Sequence, residues 1–251
     1  MMKERLQKLL SRAGIGSRRA CEQLILDGHV AINTKLVTTL PVLIDPKNDH
    51  ISIDGKVINV SPERKIYLLL NKPKGIICTM KDDRDRKTVL DLLPHGAINE
   101  RVFPVGRLEK DAQGLLVLTN DGELTKKLTH PSFGVERVYL AEVAGRVDGT
   151  FVEQLLKGVW LSEGKAKASR VKIVKRGNER SLVEITLKEG KNRQVSRMLA
   201  KLGLPAKKLT RIRMGPLVLT GVGIGRVRRL TPEEIRKLKQ LVNQKSELLL
   251  L

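Results

Sequence analysis

The chain has 251 residues, 41% of them hydrophobic, and a formal charge of +21 at pH 7. That length and apolar share argue against wholesale disorder and leave room for one large domain or two smaller ones. The charge exceeds what solubility needs and points to a polyanionic partner, nucleic acid first.

No apolar stretch reaches the roughly 18 residues needed to cross a bilayer, so no membrane association is expected. The start, MMKERLQKLL, lacks the apolar core of a signal peptide, and a soluble cytoplasmic protein is expected. Cys21 and Cys78 form no paired motif and read as small buried apolar residues. His29, His50, His95 and His130 show no ligand spacing, so no metal is expected. Aromatic residues make up only 2% of the chain, which leaves phosphate contact and shape, rather than base stacking, as the main grip on nucleic acid.

In chain order, ERLQKLLSRAG places Leu6, Leu9 and Leu10 on one helical face. Gly14 and Gly16 end that helix, and Ser17 caps a second, SRRACEQLILDG, which stops at Gly28. Val30, Ile32 and Val37 predict a short strand and turn, and Asp54-Gly55 between alternating runs predicts a hairpin. Arg18 and Arg19 fall in the first turn of the second helix, where cations are slightly unfavourable. Phosphate contact would account for them. The runs RLQKLLSRAG and SRRACEQLILDGHVAIN, with Val37, resemble the S-four-like RNA-binding domain. Thr34 stands where that domain often has glycine. The resemblance implies a small α/β RNA-binding domain over residues 1–60.

NVSPERK, residues 59 to 65, reads as a linker. Ile66 to Leu70 predicts a buried strand, Asn71 to Gly75 a loop, and Ile76 with Ile77 a return to strand. TVLDLLP predicts a helical turn stopped by Pro94. GLLVLTNDGEL reads as a central strand ending at Asn120-Asp121-Gly122. ERVYLAEVAG and SLVEITLKEG alternate as strands. NRQVSRMLAKLG predicts a helix with Val195, Met198, Leu199 and Leu202 at helical spacing. TPEEIRKLKQLV opens on a capping box of Thr231 and Glu234, and the tail ELLLL would continue that helix onto the core. Residues 61–251 therefore form the second domain of an α+β chain, a mixed, largely antiparallel sheet with flanking helices.

VGRLEKDAQG spaces Arg107, Glu109 and Asp111 at period two, on one side if the backbone is extended. An arginine followed by two carboxylates before a buried strand suits a catalytic edge that acts on an exposed base. It suits a surface ion pair equally, and spacing leaves both readings open.

Taken together, NKPKGIICT, TVLDLLP, VGRLEKDAQGLLVLTNDGEL, LTHPSFGVERVYLAEV, EGKNRQVSRML and LTRIRMGPLVL resemble the ribosomal RNA pseudouridine synthases that carry an N-terminal S-four-like domain. The resemblance implies isomerisation of a uridine in ribosomal RNA, with no cofactor and no metal, by a protein that tends to be monomeric. It implies an essential carboxylate at position 109, Arg107 filling the gap left by a flipped nucleotide, and Tyr139 packing on the uracil. Lys191, Arg193 and Arg197 lie where the family supplies a basic partner to the carboxylate; Arg197 is taken as the catalytic one, and Lys191 and Arg193, like Arg107, Arg18 and Arg19, as RNA-binding. Glu109 stands in place of the family aspartate, Ala112 and Gln113 depart from the usual residues, and Ser196 occupies a commonly basic site. Glutamate keeps the charge but moves the carboxylate by about a bond length, and a misplacement of roughly 1 Å can cost about 100-fold in rate. A catalytically silent relative that binds ribosomal RNA as an assembly factor is the alternative expectation.

Overall fold

A computed structural model describes residues 3–58, 64–80, 82–94, 96 and 100–248, with side chains to Ser246. Most of the expected linker, the boundary drawn at residue 60, and the end of the ELLLL tail lie outside the described residues. Contacts divide the chain into two compact units, one running to Lys65 and including Arg101, the other holding the rest.

In the first unit, α1 (Leu6–Arg12) and α2 (Arg18–Leu26) pack Leu6, Leu9, Leu10, Cys21 and Ile25 into one fully buried cluster. The i, i+3, i+4 spacing of the leucines forces this, since one helical face carries all three. Ser17 caps α2 by accepting from the Ala20 N–H at 3.1 Å. A four-stranded sheet runs in the order β2 (Lys35–Val37), β1 (Val30–Ile32), β3 (Ile51–Ile53), β4 (Lys56–Val57). Thr34 sits at φ +71, a conformation glycine adopts without strain. Asn33 beside it offsets this by accepting from the His50 N–H at 2.9 Å and donating to Asp49 at 2.8 Å.

The second unit is built on a sheet with nine strands among the described residues. Its strands include β5 (Tyr67–Lys72), β6 (Gln113–Thr119), β7 (Arg137–Ala144), β10 (Arg170–Lys175), β11 (Arg180–Leu187), β12 (Ala206–Met214) and β13 (Val227–Arg229). A separate hairpin, β8 (Val159–Leu161) and β9 (Gly164–Ala166), precedes β10. The path is β10, β11, β7, β12, β6, β5, β13, antiparallel except where β6 runs parallel to β12. Both faces are covered. Leu68, Leu70, Leu116 and Leu118 share one core with α4 (Gly149–Lys157) and α5 (Gln194–Lys201). Tyr67, Leu69, Leu115 and Val117 share the other with α3 (Gly122–Thr129) and α6 (Pro232–Leu248). Burial on two faces explains why β5 and β6 read as continuous apolar runs rather than alternating ones.

The capping box of α6 forms as expected, with the Glu234 N–H donating to Thr231 Oγ1 at 3.2 Å and the Thr231 N–H donating to Glu234 Oε2 at 2.8 Å. The return to strand at Ile76 and Ile77 does not occur. Gly75 turns the chain at φ +88 and donates its N–H to the Lys110 carbonyl at 2.7 Å, and Ile77 forms only an isolated bridge to Thr88.

Candidate active site

The loop from Val105 to Ala112 leads from the short strand Phe103–Pro104 into β6. Its backbone is irregular rather than extended, and it turns between Glu109 and Ala112 through an N–H···O bond of 3.2 Å. Lys72 fastens it. This fully buried ammonium donates to the carbonyls of Pro73 at 2.9 Å, Lys110 at 3.3 Å and Ala112 at 2.9 Å. All three ammonium hydrogens are thereby used, which makes a buried lysine tolerable. Burial nevertheless pushes its pKa below the ordinary lysine value. Leu108, 6% exposed, inserts into the core and its N–H meets Cys78 Sγ at 3.3 Å. Glu109 is thus presented from a loop tied down on both sides of it.

That loop is one wall of a cleft of about 600 Å³, whose other walls come from β7, the end of β11, residues 189–195 and β12. The Glu109 side chain is 16% exposed and points to α5. Ser196 Oγ lies 3.0 and 2.9 Å from its two oxygens, and Arg193 donates Nε at 3.2 Å. Arg193 precedes α5 in a left-handed conformation, φ 46°, which brings its guanidinium round to the acid. Tyr139 is half-buried in the cleft, with Arg211 of β12 as its cross-strand neighbour.

The expected site residues are distributed as follows. Glu109, Tyr139, Arg107, Lys191 and Arg193 all line the one cleft, Arg107 and Arg193 being exposed. Lys191 turns its ammonium to the β8–β9 hairpin, 2.6 Å from the Lys165 carbonyl, with Glu189 at 3.7 Å. Arg197 does not line the cleft: it donates to Glu163 at 2.8 Å and Ser162 at 3.1 Å in the hairpin turn. The cation on Glu109 is Arg193. Asp111 is exposed and makes no side-chain hydrogen bond among the described residues. Arg18 and Arg19 are exposed on the first turn of α2 in the other unit. Among the described residues no three His, Cys, Asp or Glu side chains come together to hold a metal, and no helix is long and apolar enough to span a membrane.

Sequence reasoning missed Arg137 and Arg211, which lie 8% and 2% exposed against the cleft. Nothing in their local pattern separates them from surface cations. It also missed a groove of about 550 Å³ lined by Lys157, Lys165, Lys167 and Lys188, which shares Glu189 with the cleft.

The Arg197 guanidinium holds the Glu163 carboxyl well below its ordinary value, at about 2. A depressed folded-state pKa means that the pairing stabilises the hairpin above the ordinary value of 4.5 and is lost as pH falls through about 2. Trp160, the chain's single tryptophan, sits 69% exposed on β8 and reports on this hairpin. Its emission is expected to stay level from pH 7 to about 4.5 and to change only toward pH 2, with the change displaced upward in Arg197→Gln. A titration of the two proteins by fluorescence checks this.

Residues 66–201 match the family described as RNA pseudouridylate synthase, and residues 4–42 match the S4 domain. Over 242 residues the chain is 39% identical to the ribosomal large subunit pseudouridine synthase B of Bacillus subtilis (strain 168), covering 96% of this chain and 97% of that protein. It is 41% identical over 246 residues to an uncharacterized RNA pseudouridine synthase of Aquifex aeolicus (strain VF5), covering 98% and 97%. A crystal structure of pseudouridylate synthase resembles it with a TM-score of 0.65 and 29% identity, over 93% of this chain and 99% of that one.

Proposed function

The chain belongs to the RNA pseudouridylate synthase family, and from that premise we propose that it isomerises a uridine of ribosomal RNA to pseudouridine, with Glu109 as the essential carboxylate. The observation that carries this reading is the placement of Glu109: 16% exposed, in a cleft that also holds a ring and a guanidinium. Uridine in a stacked strand is out of reach of such a cleft, so the nucleotide is flipped, and exposed Arg107 fills the gap. Tyr139 lies against the pyrimidine. Arg193 and Ser196 hold the acid as a charged acceptor, oriented and partly shielded from water. The bond between ribose C1′ and N1 breaks, the ring turns, and C5 takes over the bond to C1′. The C5 proton is lost and N1 gains one, so atoms and electrons balance without a redox partner. Arg18, Arg19 and the groove lysines hold RNA phosphates, an attraction of salt-dependent kind.

A second reading, RNA binding in ribosome assembly without turnover, is favoured by one feature. Ser196, a neutral donor, meets both Glu109 oxygens and draws the acid toward α5. Unmodified transcripts of small- and large-subunit ribosomal RNA, incubated with the protein and mapped by carbodiimide and primer extension, separate the two. A new stop at one or a few uridines is expected. Salt-sensitive binding with an unchanged map leaves the assembly reading, and no binding at low salt removes both.

A further inference from the structure

Arg211 lies 2% exposed at the floor of the cleft. Its Nε donates to the Leu115 carbonyl at 2.7 Å, but Nη2 has no hydrogen-bond partner among the described residues. Arg137, 8% exposed, joins it in the cleft and donates Nη2 to the Leu128 carbonyl at 2.9 Å. Neither has a carboxylate partner among the described residues. The cleft's acids are engaged elsewhere or face water: Glu109 pairs with Arg193, Glu189 with Lys191, and Asp111 is exposed. Buried positive charge with an unused donor is costly, and it persists where a ligand supplies the missing acceptor.

We propose that Arg211, with Arg137 beside it, is an anion subsite that takes the negative charge the pyrimidine acquires when its bond to ribose breaks. The inference rests on the isomerisation reading. When the C1′–N1 bond breaks toward the ring, the electron pair stays on the base and spreads over N1 and the carbonyl oxygens. Arg211 donates to such an oxygen and transfers no proton. A held anion stays in the cleft while it turns and offers C5 to C1′. Depth argues for the base over an RNA phosphate, because phosphates run along the strand at the mouth, while Arg211 is almost wholly buried. Register argues for it too, since Arg211 is the cross-strand neighbour of Tyr139, the ring assigned to the base.

The test measures binding of 5-nitrouracil, a uracil kept anionic at neutral pH by its nitro group, against neutral uracil and inorganic phosphate. Wild-type protein is expected to prefer the anion to uracil by about tenfold, as a charge-assisted hydrogen bond would give. Arg211→Met, which removes the charge at similar volume, is expected to erase that preference while thermal unfolding stays cooperative. Arg211→Lys, which keeps charge but not the fork, is expected to fall between and serves if the methionine variant does not fold. Pseudouridine formation is expected to drop about 100-fold in Arg211→Met with RNA affinity within about twofold. A wild-type protein without the preference, a variant that keeps it or keeps full turnover, or loss of phosphate in place of nitrouracil binding overturns the subsite. Wild-type protein that prefers the anion but forms no pseudouridine overturns the reaction assignment and leaves the subsite standing.

Discussion

Glu109→Gln is expected to lower pseudouridine formation at least ~1000-fold while RNA affinity changes by less than about threefold. The amide matches the carboxylate in size. Its oxygen can still accept from Ser196 Oγ and Arg193 Nε, so the loop fastened by Lys72 keeps its shape. On the proposed reading, what is lost is the negative charge that attacks ribose or takes its proton. In a chain of net charge +21 the attraction to RNA phosphates is expected to be spread over many cations, and one fewer acid slightly favours RNA. Glu109→Asp is informative in the other direction. Shortening by one methylene draws the carboxylate off Ser196 and Arg193, and an active enzyme is expected to lose about 100-fold from the displacement. An RNA-binding protein without turnover would instead gain activity from aspartate and lose nothing with glutamine. Release of tritium from RNA carrying 5-tritiated uridine, under single-turnover conditions, measures both because the C5 proton departs in the reaction. Glutamine at wild-type rate would remove Glu109 from the mechanism.

The parts legible in the chain were those decided by near neighbours. Leu6, Leu9 and Leu10 lie at helical spacing and are all fully buried. Asp54-Gly55 turns at φ 47 and 77, as a two-residue hairpin demands. The Leu115 to Leu118 run was recognisable as a central strand because a sheet covered on both faces needs no polar side. Spacing could not decide whether Glu109 was catalytic; the family pattern pointed to it, and the cleft then supplied the surroundings. The basic partner fell to chain geometry. Ser196 and Arg197 are adjacent, hence about 100° apart on α5. One turns to Glu109 and the other to the β8–β9 hairpin, in a stretch where no element had been predicted. Arg211 and Lys72 were beyond reach for a related reason. Lysine and arginine are almost never buried unless paired, and their acceptors, the carbonyls of Leu115 and Ala112, are 96 and 40 residues away.

Gly114→Ala is expected to destabilise the second unit by more than about 4 kcal/mol, the range reserved for disrupted cores. Gly114 lies where β6 meets β12 in the sheet's parallel pairing, opposite Arg211. A Cβ there would stand 2.3 Å from the Arg211 carbonyl oxygen and 2.8 Å from its nitrogen. Both are backbone atoms, so no rotamer change relieves the contact and the strands must part. The residue also sits at φ +108, which adds strain for any side chain. Gly164 separates the two contributions, because it has φ +102 but nothing within 4 Å of its added Cβ. Gly164→Ala should therefore cost only the backbone strain, about 1–3 kcal/mol. For a unit of this size the excess at Gly114 corresponds to a transition some 5–10 °C lower than that of the Gly164 variant. Differential scanning calorimetry of both variants reads it, and equal transitions would mean that the β6–β12 seam opens without cost. Because Arg211 is the residue struck, any folded Gly114→Ala protein should also lose the preference for anionic over neutral uracil that the proposed subsite would confer.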